Sequence, residues 1–365
     1  MSDHNPHHMQ TPTPRDHNVA SNSEIMPFSS SKIKLWKSPL FIVAVLVALA
    51  TPFLFVVGGN AAGAEDPRVR MAALIVSGIV GVFVLLMMIQ LAAFLYAKPG
   101  RSFLIYMIPF AVVVAILFTP LSMPFFFIFR EILPGNVDMS NPQQLTLMKV
   151  FVGMLFGAGM MEELLKATPI LIGAYLTHMA IKQPSFVSNV AYKLLHVRGP
   201  LDGVLMGIFA GGGFIFFETA FDYIPRISSQ VFQQTNDIGV AVSTGLSLLL
   251  PRVLGGLVGH MAYSGIFGYF IGLSVIRPQQ RWQLLGIGFA ASTLVHTAWN
   301  TAAFASPMLL YVVAVICAVA LVGCVLKARQ IDASRSGGPV DTQGSILVDR
   351  VTPAAAYPAP QPQAY

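Results

Sequence analysis

Charge is scarce in this chain: only 10% of its 365 residues are Asp, Glu, Lys or Arg, while 55% are hydrophobic. Soluble domains carry roughly 25% charge, so the deficit excludes an ordinary cytosolic enzyme and a disordered regulator. Cysteine is scarce too. Cys317 and Cys324 share one apolar run; two helical turns put them about 10 Å apart, too far to bridge each other, and they read as small buried hydrophobes. Three hydrolase signatures are missing. Without His-Glu-x-x-His, Gly-x-Ser-x-Gly or paired Asp, zinc peptidases of that motif, nucleophile-elbow hydrolases and presenilin-like aspartyl proteases lack support. The formal charge of +6 is not a nucleic-acid face either, because the 22 Lys and Arg lie mostly in short loops between apolar runs.

Long apolar runs are what the chain has. They fall at about 39–58, 71–97, 103–129, 149–181, 200–223, 253–276, 282–304 and 307–327, each near the roughly 20 residues that cross a bilayer as helix. The expected fold is an all-α polytopic membrane protein of about eight transmembrane helices. Residues 238–251 are apolar but short, and read as one further re-entrant or interfacial helix on the outer side. The domain division is a disordered polar tail over 1–31, a transmembrane helical domain over 32–328 and a disordered Pro/Ala-rich tail over 329–365. The run at 39–58 follows a long polar tail and exceeds a signal-peptide core, so it reads as an uncleaved helix. Placing both termini in the cytoplasm makes every inside loop basic, from Lys32, Lys34 and Lys37 to Lys327 and Arg329. A multi-pass protein of the cell membrane follows, with the lipid bilayer as its medium and no nucleic acid as partner.

Glycines at 203, 207 and 211, at 255 and 259, and at 268 and 272 recur every four residues and predict faces of close helix packing. Against this background six ionisable residues stand deep inside apolar runs, away from their ends: Glu162, Glu163, Lys166, Glu218, His260 and His296. Each costs free energy in a bilayer and so points to a site or pathway. Counting residues from the outer helix ends puts them in one layer of the outer half. At about 100° per residue, Lys166 falls angularly between Glu162 and Glu163 and can bridge both. His260-Met-Ala-Tyr263-Ser264 and His296-Thr-Ala-Trp299-Asn300 share one pattern, giving each histidine a polar neighbour one turn onward.

Such a chamber has two routes to hydrolysis. A divalent metal such as zinc, with His260, His296 and Glu218 as candidate ligands, would activate water. Alternatively, a glutamate acts as general base with oxyanion donors and no cofactor. The same groups would also serve a proton-coupled transporter, or persist in a non-catalytic membrane scaffold.

Glu162-Glu163-Leu-Leu-Lys166 resembles the EExxK motif of the PrsW family of intramembrane proteases, from the superfamily of CAAX prenyl-protein proteases and bacteriocin-processing enzymes. Gly213-Phe214-Ile-Phe-Phe-Glu218 is similar to its Gly-Phe-xxx-Glu segment, with Thr219 following where the family often has Asn. Helices bearing His260, then His296 and Asn300, come next in order. The resemblance covers about 149–304. It implies an endopeptidase that cleaves membrane-anchored proteins, typically starting a regulated cascade such as anti-sigma-factor destruction. Carried over, Glu162 or Glu163 would activate water and His260 and His296 would complete the site, with Lys166, Glu218 and Asn300 in support.

Overall fold

The computed structural model describes residues 19–26, 67–137, 145–247, 255–256 and 259–335, and among them every regular element is helical. In chain order these are α1 (Asn22–Ile25), α2 (Pro67–Ala97), α3 (Phe103–Phe118), α4 (Pro120–Ile132), α5 (Leu147–Lys182), α6 (Val190–Leu195), α7 (Pro200–Thr235), α8 (Ile238–Ser247), α9 (His260–Ile276), α10 (Arg281–Ala305) and α11 (Pro307–Arg335). Their ends follow local chemistry. The side chains of Ser102 and Thr146 accept backbone N–H groups at the starts of α3 and α5. Pro200 opens α7, and Asn236, left-handed at φ 52°, closes it.

Four helices are long and apolar enough to cross a membrane: Gly78–Ala97 within α2, α5, α7 and α11. A fifth crossing arises if α3 and α4, bent by 89°, count as one span. The expected count of about eight is therefore not reached among the described residues. The run at 39–58 lies outside them. In the run at 253–276, helix α9 starts only at His260 and has 17 residues. The run at 282–304 forms α10, whose second half carries Ser292, Thr293, His296, Thr297, Asn300 and Thr301 and is too polar for an apolar span. The segment expected to be re-entrant contains α8, which packs back on the end of α7 and on α2.

The core is a seam between α7 and α9. Methyl groups added at Gly203, Gly207 and Gly211 would overlap the backbones of Gly268, Ser264 and His260, and Gly272 lies equally close to Gly199. Small residues at this spacing let two backbones meet, as the sequence predicted. Gly212 receives the Gln90 side chain of α2 and Gly213 the backbone of Phe110 in α3. Around the seam, α2 and α3 pack on α7, α10 packs on α9, and α5 and α11 touch both.

At the start of α7, buried Asp202 accepts hydrogen bonds from Arg101 at 2.9 Å, Arg198 at 2.7 and 2.8 Å, and the Tyr106 hydroxyl at 2.6 Å. This pins the turn before α3 to α7. Part of the tail expected to be disordered through residue 31 is also docked. Glu24 pairs with Arg277 at 2.7 Å, its carbonyl accepts the Tyr269 hydroxyl, and Ala20 N donates to Gln280. Burial alone would raise the Glu24 carboxyl, but the Ser21 backbone N–H and Arg277 outweigh it and hold it below the usual range. The last helix likewise continues to Arg335, past the boundary at 328.

Gly207→Val should push α9 away from α7 and displace Ser264. Overpacking of this kind costs about 1–3 kcal/mol, so thermal unfolding in detergent should show a clearly lowered midpoint. Gly286→Ala, where an added methyl meets nothing within 4 Å, is the control and should leave the midpoint unchanged or raised.

Candidate active site

Just before its paired glutamates, α5 widens into a π turn over Leu155–Met160, and α7 does the same over Glu218–Tyr223. Such turns re-aim the residues beside them and are frequent at functional sites. The α5 turn is glycine-rich because neighbours press on it: Gly159 lies against Thr293 and Thr297 of α10, and Gly157 against Gly135. Arg130 of α4 donates to the Gly157 carbonyl at 3.2 and 3.3 Å.

The glutamates that follow are buried but unequal. Glu163 has no exposed surface and is fully engaged. Its Oε1 accepts Lys166 Nζ at 2.7 Å and meets His296 Nδ1 at 2.9 Å, and its Oε2 accepts the Ser264 hydroxyl at 3.0 Å. Among the described residues, Glu162 accepts only Lys166, at 3.3 Å. Its Oε2 faces His260 Nδ1 and His296 Nε2, each 3.7 Å away. Lys166 also lies 2.8 Å from His260 Nδ1 and 4.2 Å above the Phe214 ring.

These contacts fix the tautomers. A lysine ammonium has no lone pair, so Nδ1 of His260 accepts and its proton sits on Nε2, facing Glu218 Oε2 at 3.5 Å. An ionised Glu163 only accepts, so His296 carries its proton on Nδ1, and a neutral ring turns the Nε2 lone pair toward Glu162. Aromatic rings hold both imidazoles: Phe214 stacks on His260 with centroids 5.3 Å apart, and Tyr263 on His296 at 4.6 Å. The two histidine rings meet edge to face at 5.0 Å.

The structure thus brings Glu162, Glu163, Lys166, His260 and His296 together, with Glu218 at the edge, reaching His260. Asn300 makes no hydrogen bond to this cluster among the described residues. Ser264, expected as the histidine's neighbour, serves Glu163 instead, because the α7–α9 seam brings α9 within reach of α5. Among the described residues, the groups within mutual reach of one metal ion are Glu162, His260 and His296, whose ligand atoms lie within 4.8 Å of one another; Glu162 rather than Glu218 completes that set. Phe214 and Tyr263 stand within the sequence motifs, but their part as ring supports was not drawn from them. The signal was spacing: Phe214 precedes Glu218 by one turn, and Tyr263 follows His260 by one turn.

Lys166→Met would leave two buried carboxylates without their cation. Removing one partner of a buried pair costs about 3–5 kcal/mol, so its thermal midpoint should fall sharply. Adding Glu163→Gln removes one of the stranded charges and should recover part of the loss, as a double-mutant cycle would measure.

A sequence profile described as PrsW family intramembrane metalloprotease matches residues 65–325. The match begins well before 149, so α2 to α4 belong to the family region as well as the helices carrying the motifs. No curated protein and no solved structure gives a significant match. With the profile covering most of the chain and the paired glutamates meeting both histidines in its interior, the chain belongs to the PrsW family of intramembrane proteases.

Proposed function

We propose that this chain hydrolyses a peptide bond of a membrane-anchored protein with Glu162 as general base. The observation that carries this is the inequality of the paired glutamates: three donors hold Glu163, whereas Glu162 keeps acceptor capacity facing both histidines. A water oxygen sits about 2.8 Å from each group it bonds, so one shared by Glu162 and His296 Nε2, which are 3.7 Å apart, would sit beside the line joining them. Both would accept its protons.

In the hydrolytic step Glu162 takes a proton from water as the oxygen attacks the carbonyl carbon. The carbonyl π pair moves onto oxygen, and His260 Nε2–H donates to that oxyanion. Glu162 then returns the proton to the amide nitrogen as the C–N bond breaks. Glu163 and Lys166 hold the histidines and Glu162 in these orientations, and Phe214 and Tyr263 keep the rings from turning.

The donor set also suits the metal implied by the family. Two imidazoles and a carboxylate are a ligand set used by catalytic zinc, and Glu162, His260 and His296 would hold the ion. It would supply Lewis acidity to bound water. For His260 to take part through Nδ1, Lys166 has to give up its hold on that nitrogen.

Membrane-anchored substrates, anti-sigma-factor-like proteins among them, follow from the family and from a site enclosed by apolar helices. The basic inner loops support a cell-membrane protein with both termini cytoplasmic. Quantitative N-terminal peptide profiling of membranes from cells expressing the wild type or Glu162→Gln at matched levels tests the reading while the substrate is still unidentified. New termini close to a transmembrane segment should arise with the wild type and vanish with the variant. Identical profiles across envelope stresses, with ion flux in liposomes, would replace the protease with a transporter.

A further inference from the structure

Tyr263 has a feature that its role as a ring support does not use. The residue has no exposed surface, yet its hydroxyl has no hydrogen-bond partner among the described residues. A buried, unsatisfied hydroxyl costs about 1–3 kcal/mol, and Phe would fill the same stack without that cost. The hydroxyl is also specifically placed. Tyr263 stacks on His296 and lies 5.9 Å, centroid to centroid, from His260. A methyl at Gly259 would sit 3.1 Å from its oxygen, so the hydroxyl lies over the N-terminus of α9, beside the residue that precedes His260.

Two features that favour negative charge coincide there. The first turn of the 17-residue helix α9 carries backbone N–H groups with no intrahelical acceptor, and an unpaired O–H is aimed over the same turn. His260, whose Nε2–H is the donor in the proposed step, is the helix's first residue. Resting on that reading, we infer that Tyr263 is a second oxyanion donor: its O–H donates to the scissile carbonyl oxygen as negative charge builds on it, opposite the water held by Glu162. The phenol keeps its proton throughout, so the stoichiometry of the step is unchanged. A ligand carbonyl satisfies the hydroxyl only while substrate is bound.

The test uses the full-length protein in lipid with a single-span peptide carrying the cleavage-site sequence found by terminal profiling, and compares the wild type, Tyr263→Phe, Tyr263→Leu and Glu162→Gln. Loss of one oxyanion donor costs about 10²- to 10³-fold in kcat. Tyr263→Phe should therefore lose kcat on that scale with KM within twofold and a thermal midpoint equal to or above wild type, because the orphan hydroxyl is gone. Tyr263→Leu should lower the midpoint as well, having lost the stack on His296. Wild-type kcat in Tyr263→Phe would overturn the inference. So would a fall in its kcat accompanied by a lower midpoint, which would mark the hydroxyl as structural. If Glu162→Gln is inactive while Tyr263→Phe is normal, only the inference fails; if Glu162→Gln cleaves normally, the reading beneath it fails.

Discussion

Two carboxylates and one ammonium buried side by side are the constraint to which the rest of this structure answers. Ions out of water are costly unless their partners are close and their hydrogen bonds are made, and Glu162, Glu163 and Lys166 are all nearly inaccessible. One cation cannot saturate two carboxylates. The remaining acceptor capacity of Glu163 is met from other helices, by Ser264 of α9 and His296 of α10. That requires α9 to lie very near α7 and α5, which the glycine seam provides. The π turn in α5 and the rings of Phe214 and Tyr263 complete the enclosure.

The same chain carries another buried carboxylate on α7, and the contrast is instructive. Asp202, near the other end of the apolar part of α7, takes donors from two arginines and a tyrosine. It is saturated, and it works as a clamp. Glu162 shares its lysine with Glu163 and His260 and faces two imidazoles beyond hydrogen-bond distance. A group left with acceptor capacity in a water-poor chamber is suited to take up a proton. On the proposed reading, satisfied and unsatisfied acids divide structure from chemistry on neighbouring helices.

Much of this was legible in the sequence. Helical period alone placed Lys166 between Glu162 and Glu163, because an intrahelical relation needs no knowledge of the fold. The glycine faces at 203, 207 and 211 and at 268 and 272 were readable for the same reason, as spacing of four on one helix implies one side. What resisted was everything between helices. Hydropathy could not reveal the 89° bend after Phe118, since a folded-back helix is as apolar as a straight one. Helix α10, expected as a span, carries hydroxyls and a histidine turned inward and so falls short of the apolar composition of the four span candidates. The partnership of Ser264 with Glu163 depends on the distance between α9 and α5, and the orphan hydroxyl of Tyr263 was not legible because an absent hydrogen bond leaves no trace in composition. Asp202 was passed over since it stands at a helix start, where an acid is ordinary.

The central claim is a division of labour between adjacent glutamates, base and anchor. The direct measurement is cleavage rate and thermal midpoint side by side for Glu162→Gln and Glu163→Gln, purified in the same lipid. Both variants should lose cleavage, but only Glu163→Gln should lose stability, because Glu163 alone organises Lys166, Ser264 and His296 together. Cleavage retained by Glu162→Gln, or a Glu163→Gln protein as active and as stable as wild type, would contradict the account.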